Sequence, residues 1–98
     1  MKQYMADIDF PKSLPEEFIA LIPKQRKAVN EFMNEGVIST YSLALDRSKL
    51  WIILSAESEI ATTEYLSSLP LFKYMNIKIH ELAFHENASI RTPHFSLN

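Results

Sequence analysis

The sequence contains no cysteine and only one glycine, Gly36. Without cysteine there is no disulfide, no thiolate metal ligand and no cysteine nucleophile. This composition is typical of a reducing compartment, so we expect a cytoplasmic protein. A single glycine cannot build a glycine-rich phosphate loop, because such loops need several glycines where the backbone turns tightly against the phosphates. The sequence therefore has no nucleotide-cofactor motif of this kind.

An excess of positive charge is also absent, since the formal net charge is -2. Nucleic acids and anionic membranes are bound by clustered lysine and arginine. The one basic run, residues 24–27, is followed by Glu31 and Glu35, which is typical of a solvated helix face. No apolar run approaches membrane-spanning length, and no apolar block of a signal peptide follows Met1. We therefore expect neither a nucleic acid nor a membrane as a partner.

Length and composition favour one small folded domain. Of the 98 residues, 47% are hydrophobic and 22% are charged, which is ordinary for a globular chain. A chain of this size closes one core but has little interior for an enclosed active site, so a partner subunit would help to form one. We expect residues 1–85 to form the domain and residues 86–98 to form an extended tail.

The first part of the sequence predicts a strand followed by a helix. Apolar and polar residues alternate over residues 4–10, which indicates a strand with one buried face. Ser13 and Glu16 have the spacing of a capping box, so we expect a helix to begin near residue 14. Apolar residues then recur at helical spacing until Gly36, which is typical of a helix end. Pro23 interrupts this pattern, and we expect a kink there rather than two helices.

The rest of the sequence predicts a hairpin, a second helix and a fourth strand. Residues 37–45 and 49–56 are rich in β-branched and aromatic side chains and are joined by a short polar connection. Helical spacing returns over residues 57–69 and cannot continue past Pro70, after which residues 72–84 alternate again. The predicted fold class is α+β, a ferredoxin-like βαββαβ domain whose four-stranded antiparallel sheet has two helices on one face.

Both faces of the third strand are apolar, although the helices cover only one face of the sheet. If Leu50, Ile52 and Leu54 face the helices, then Trp51 and Ile53 point outward. The residues that we place beside them on neighbouring strands are Met5, Tyr41, Leu43 and Leu82. Isolated chains seldom expose such a patch to water, so we expect a second copy to cover it in a homodimer or a larger homo-oligomer.

Polar residues on this outward face are the candidates for catalysis. Asp7 and His80 are our candidate catalytic pair, because an apolar surface raises the pKa of a carboxyl group and histidine side chains generally titrate near neutral pH. The two side chains could then exchange protons with a ligand. The alternative is an ion pair at the solvent edge or at a dimer interface.

Three residues are candidates for binding a small-molecule substrate: Tyr41, Trp51 and Lys78. The flat faces of Tyr41 and Trp51 could form the wall of a pocket for a small unsaturated ring. Lys78 is interleaved with the candidate catalytic residues on the outward face. The alternative for the two aromatic residues is the core of a subunit interface.

Metal chemistry and serine hydrolysis are not supported by the sequence. His80 and His85 lie five positions apart on one predicted strand, so they face opposite sides of the sheet and cannot bind one metal ion. His94 lies in the predicted tail. No serine stands between the small residues that a nucleophile elbow requires.

The segment Leu69-Pro70-Leu71-Phe72-Lys73-Tyr74-Met75 resembles the connection between the second helix and the last strand of the muconolactone isomerase family. The resemblance implies a dimeric α+β barrel that can assemble into larger rings. It also implies an enzyme that shifts a double bond in a small lactone and needs no metal or organic cofactor. A positioned acid and base would remove and return a proton beside a carbonyl group.

The sequence also departs from that family. The second strand of the family typically offers arginine and histidine to a substrate carboxylate, whereas residues 39–43 contain neither. Lys24 and Lys27 are candidates for a replacement cation. Two functions remain open: a cofactor-free isomerase acting by proton transfer on a small lactone or aromatic-derived acid, and a non-catalytic ligand-binding or assembly module with a diverged active site.

Overall fold

The chain alternates strands and helices, as a computed structural model describes them for residues 1–86. The elements are β1 (Lys2–Asp9), α1 (Glu16–Asn34), β2 (Ile38–Leu43), β3 (Lys49–Ala56), α2 (Glu59–Ser67) and β4 (Asn76–Leu82). Within this part of the chain, no helix is long and apolar enough to cross a membrane. The predicted tail, apart from Glu86, lies outside the described residues.

The four strands form one antiparallel sheet in the order β2-β3-β1-β4. The chain runs from the central strand β1 to the central strand β3 through α1, β2 and the hairpin. Each helix connects two strands that are not neighbours in the sheet. Phe18 and Val29 of α1 share one buried core with Leu66 of α2 and with Ile8 and Ile52 of the central strands. Both helices therefore cover the same face, and the predicted ferredoxin-like βαββαβ arrangement is confirmed.

The start of α1 differs from the prediction. The helix begins at Glu16 with Pro15 at its N-cap, and no side chain caps it, so the capping box of Ser13 is wrong. The reason is the proline, because a residue that precedes proline is driven out of the helical region and Leu14 cannot begin a helix. From Glu16 onward the helix is continuous and carries Pro23 inside it, so it does not divide into two helices.

The hairpin between β2 and β3 turns at a polar connection, as predicted. Asp46 Oδ1 accepts hydrogen bonds from the Ser48 backbone N–H at 2.9 Å and from the Ser48 hydroxyl at 2.7 Å. Between them Arg47 adopts a left-handed conformation with φ 62°, which residues other than glycine rarely adopt. The aspartate holds the chain in this turn by making the backbone bond that a regular strand would otherwise supply.

β2 also contains a β-bulge. Ile38 pairs with Leu54 and Thr40 with Ile53, so Ser39 is an extra residue in the ladder. An extra residue inverts the alternation of side chains from that point onward. Tyr41 consequently pairs with Ile52, a fully buried core residue, and its side chain lies on the helix face of the sheet.

The predicted fourth strand begins too early. Phe72–Tyr74 form a short 3-10 helix, and β4 starts only at Asn76. The backbone N–H of Tyr74 bonds to the carbonyl of Leu71 at 3.0 Å, and the N–H of Met75 bonds to that of Phe72 at 3.0 Å. These short-range bonds replace strand pairing, and they let Leu69 and Leu71 enter the core.

We predict that Ser58→Ala lowers the free energy of unfolding by about 1 kcal/mol, the usual worth of a helix N-cap. Ser58 caps α2, because its hydroxyl oxygen accepts a hydrogen bond from the Ala61 backbone N–H at 3.0 Å. Ser13→Ala is the matched control and should change stability by less than half as much, since Ser13 caps no helix. Urea unfolding followed by Trp51 fluorescence measures both, and equal losses in the two variants would contradict the assignment.

Candidate functional site

The sheet divides the five residues that the sequence proposes for the site. On the outward face, Asp7 pairs with Trp51 on one side and with Lys78 on the other. His80 pairs with Met5 on the same face, which places it diagonal to Asp7. These four candidates therefore lie together. Tyr41 does not join them.

Our expectation that Tyr41 and Leu43 lie beside Trp51 is wrong. Both belong to β2 beyond the bulge, and they pair with Ile52 and Leu50, which face the helices. The sheet thus stands between Tyr41 and Trp51, and they cannot form the wall of a single pocket within one subunit.

The outward face is an ion-pair cluster centred on Lys49. Lys49 Nζ lies 2.9 Å from Asp7 Oδ1 and 3.0 Å from Asp9 Oδ1. The hydrogen bond from Lys49 lowers the pKa of Asp7 below its ordinary value, partial burial opposes this, and the charges of His80 and Lys78 lower the pKa further. This direction is opposite to the raised pKa that we expected. Lys49 places a counter-ion where we had assumed only apolar neighbours.

The apolar patch on this face is less exposed than the sequence pattern predicts. Ile53 is only 6% exposed, and Met5, Trp51 and Leu82 are half-buried. Ile53 stands in a central strand, where its cross-strand neighbours Met5 and Thr40 flank it. Neighbouring side chains of the same subunit therefore cover part of the patch.

A concavity lies on the opposite face, between α1 and the β2 side of the sheet. It is an open cleft of about 780 Å³, within the range of small-molecule sites. The apolar residues that line it are Phe10, Phe18, Ile22, Val29, Met33, Leu43 and Leu71. Its polar lining consists of Gln25, Arg26, Asn30, Tyr41 and Arg47. Such a combination suits a ligand with an apolar body and a few oxygen atoms.

Gln25 and Tyr41 are the connected polar pair of this cleft. Gln25 Nε2 donates to the Tyr41 hydroxyl oxygen at 3.0 Å, and Gln25 Oε1 accepts from the backbone N–H of Leu71 at 3.1 Å. Burial raises the pKa of the Tyr41 hydroxyl, against smaller opposing effects of the Gln25 hydrogen bond and the Arg26 charge. Tyr41 is therefore held neutral and able to donate a hydrogen bond near neutral pH.

Two guanidinium groups supply the positive charge of the cleft. Arg26 comes from α1 and Arg47 from the hairpin turn. Our candidates for the replacement cation, Lys24 and Lys27, are exposed, as are Arg26 and Arg47, but they do not belong to the lining. Guanidinium groups bind carboxylates in a planar, two-bonded geometry that lysine cannot match.

The sequence contains a signal for this cleft that we did not use. Phe18, Ile22, Gln25 and Val29 follow the spacing of one helical face, so Gln25 occupies a core position of α1. It is 2% exposed. A polar residue in an apolar stripe must find buried hydrogen-bond partners. We had instead assigned it to a solvated basic face because its neighbours in sequence are charged.

No carboxylate or imidazole lines the cleft in the part of the chain that the structure describes. Over the same residues there is no group of three or more histidine, aspartate, glutamate or cysteine side chains that could hold a metal ion. The cleft thus combines positive charge with an apolar wall. It offers hydrogen-bond donors rather than a base.

We predict that Lys49→Met raises the pKa of Asp7 more than Lys78→Met does. The hydrogen bond from Lys49 is the largest cause of the lowered Asp7 pKa, whereas Lys78 acts only through its charge. Because the folded-state pKa is lowered, the ion pair stabilises the fold at neutral pH, and this contribution is lost as the pH falls through that pKa. Carboxyl NMR titration measures the pKa, and equal shifts in both variants would show that Lys49 is not the dominant partner.

Comparison with known proteins agrees with the resemblance of residues 69–75 to the muconolactone isomerase family. The solved structure of a muconolactone isomerase superposes with a TM-score of 0.68 at 19% sequence identity, covering 89% of this chain and 94% of that one. At this identity the likeness shows the fold alone. The structure of the protein PH0061 gives a TM-score of 0.46 at 11% identity, covering 87% of this chain and 55% of that one. No curated protein matches the sequence.

A family model provides the assignment. The model described as muconolactone delta-isomerase matches residues 3–88, which is most of the 98-residue chain. The chain belongs to the muconolactone delta-isomerase family.

Proposed function

We propose that this chain is a cofactor-free isomerase that binds a small unsaturated ring acid, such as a lactone bearing a carboxylate, in the cleft between α1 and β2. The observation that carries the proposal is that one cleft of about 780 Å³ is lined both by Arg26 and Arg47 and by an apolar wall. The guanidinium groups match a carboxylate, and the wall matches the ring. Family membership supports a double-bond shift as the reaction.

The proposed reaction conserves every atom of the ligand. A proton leaves one ring carbon for a base, which the described lining of the cleft does not itself provide. The electrons of that bond move toward the carbonyl oxygen, and a proton returns to a different carbon while the double bond moves. Negative charge collects on the oxygen between the two transfers. A neutral hydroxyl such as that of Tyr41, which lines the cleft, is the kind of donor that stabilises this charge.

Asp7 and His80 stay our proposal for proton transfer on the outward face, with Trp51 and Lys78 as the ligand contacts there. Their position on one face supports this, while the lowered pKa of Asp7 weakens that carboxylate as a base. A ligand in the cleft of the same subunit does not reach them, because the sheet lies between. The two locations therefore make opposite predictions for mutants.

The second candidate function is non-catalytic binding of the same ligand class. The observation that favours it is the lining of the cleft, which holds no carboxylate or imidazole among the residues that the structure describes. A protein of this kind would bind the ring acid and leave its double bond in place.

We predict that Arg26→Met weakens binding of a ring acid by about tenfold or more, the usual worth of a charge-assisted hydrogen bond. Calorimetric titration with muconolactone measures the change. Lys24→Met is the matched control, since it removes the same charge from the same helix outside the cleft, and it should leave the affinity nearly unchanged. Equal losses in both variants would mean that the ligand senses only overall charge.

The same variants locate the reaction. Ultraviolet absorbance follows the double-bond shift in muconolactone and related enol-lactones. Turnover that falls in Arg26→Met but persists in Asp7→Asn and His80→Gln supports the cleft, and the reverse result supports the outward face. Binding without turnover on any lactone would favour the non-catalytic function.

We also propose that a second copy of the chain covers the outward face. The apolar residues on both faces of β3 and the opposite charges of Asp7, Asp9 and Lys78 on one surface support self-pairing about a two-fold axis. Light scattering at micromolar concentration should give at least a dimeric mass, and Trp51→Glu should shift it toward the monomer. A monomeric mass for the unmodified protein would reject the proposal.

A further inference from the structure

Gln25 is the buried polar group whose partners determine the hydrogen bonding of the cleft. It is 2% exposed, and its two ends bond in different directions. The Oε1 atom accepts from the Leu71 backbone N–H at 3.1 Å, and the Nε2 atom donates to Tyr41 Oη at 3.0 Å. These contacts connect α1 with β2 and with the segment that precedes β4.

The direction of both hydrogen bonds follows from the Leu71 end. A backbone N–H can only donate, so the atom of Gln25 that faces Leu71 must be the carbonyl oxygen. The opposite end is then the amide NH₂ group, which can only donate. Tyr41 must therefore accept from Gln25, and its own hydroxyl hydrogen must point elsewhere.

The hydroxyl hydrogen of Tyr41 can point into the cleft. Tyr41 lines the cleft, and none of the described residues that line this cleft accepts its hydroxyl hydrogen. The nearby Arg26, whose charge acts on Tyr41, carries only donors and cannot accept. Tyr41 is half-buried and lines this open cleft, so a ligand that presents an oxygen there can accept its hydrogen bond.

We infer that Gln25 is a positioning residue that turns the Tyr41 hydroxyl into a fixed hydrogen-bond donor for the carbonyl oxygen of the bound ring acid. This inference rests on the proposed binding of a ring acid in the cleft. It assigns Tyr41 the recognition of the carbonyl and leaves the carboxylate to the arginines. A ring acid that lacks the carbonyl oxygen does not make this hydrogen bond and binds more weakly.

Two stable probes separate these contacts. The acetic-acid derivative of γ-butyrolactone and the acetic-acid derivative of tetrahydrofuran share a saturated ring and a carboxylate, and they differ in the carbonyl oxygen. Neither can undergo a double-bond shift. Calorimetry on the full chain should show that the lactone probe binds about tenfold more tightly, the worth of one well-placed hydrogen bond.

Two variants test the roles of the donor and of its positioning residue. Tyr41→Phe removes the hydroxyl group, so the two probes should bind with about equal affinity. Gln25→Glu keeps an acceptor for Leu71 but replaces the NH₂ group with an acceptor, so the Tyr41 hydrogen turns toward Glu and away from the ligand. The Gln25→Glu variant should therefore lose the preference for the lactone probe as fully as Tyr41→Phe does. The ratio of the two affinities is the readout, because the added negative charge weakens both probes alike.

Each other outcome overturns a defined part of the inference. A wild-type protein that binds both probes equally, or a Tyr41→Phe protein that keeps the preference, rejects Tyr41 as the donor. A preference that is lost in Tyr41→Phe but kept in folded Gln25→Glu rejects the positioning role of Gln25. Failure of the wild type to bind either probe rejects the cleft as a ring-acid site, and the inference with it. Arg26→Met, which should weaken both probes equally, is the control for the carboxylate contact.

Discussion

One buried amide, that of Gln25, joins three separate parts of the fold. Its hydrogen bonds reach Tyr41 on β2 and the backbone of Leu71 before β4, while its own backbone belongs to α1. Leaving any of these buried groups unpaired would cost roughly 1–3 kcal/mol, a large part of the stability of a small domain. The helix is therefore held at one height over the sheet, and the cleft between α1 and β2 takes its shape from this constraint.

The architecture was predictable because it depends on local patterns. The richness of residues 49–56 in β-branched and aromatic side chains predicted the full extent of β3, and the proline-bounded helices between strands led to the correct topology. The face of Tyr41 was not predictable in this way. Ser39 is an extra residue only when the pairing of β2 with β3 is known. The residues of β2 alone do not indicate a bulge. One such residue moves every following side chain to the other face, so a site assembled from alternation alone combines residues that the sheet separates.

The two faces of the sheet have different chemistry as a result. On the outward face Lys49 bonds both Asp7 and Asp9, so acidic and basic groups are paired within one subunit. A surface that balances its own charges suits packing against another surface. The helix face carries the cations Arg26 and Arg47 beside a neutral Tyr41. Two positive charges therefore lie at the cleft, where we propose that an anionic ligand binds.

The segment on which the family resemblance rests contributes to this cleft through its backbone. Leu71 places its side chain in the core and gives its N–H to Gln25, and any residue except proline supplies that N–H. Lys73 and Tyr74 of the same segment bind Glu17 at 2.8 Å and 2.6 Å, which holds the segment against the first turn of α1. The side chains of Lys73 and Tyr74 thus help to fix the position of the Leu71 backbone N–H. That N–H itself does not depend on which side chain residue 71 carries, proline excepted. The segment can therefore keep the same cleft framework for different ligands, because the side chains that we propose to contact the ligand, Arg26, Arg47 and Tyr41, lie outside the segment.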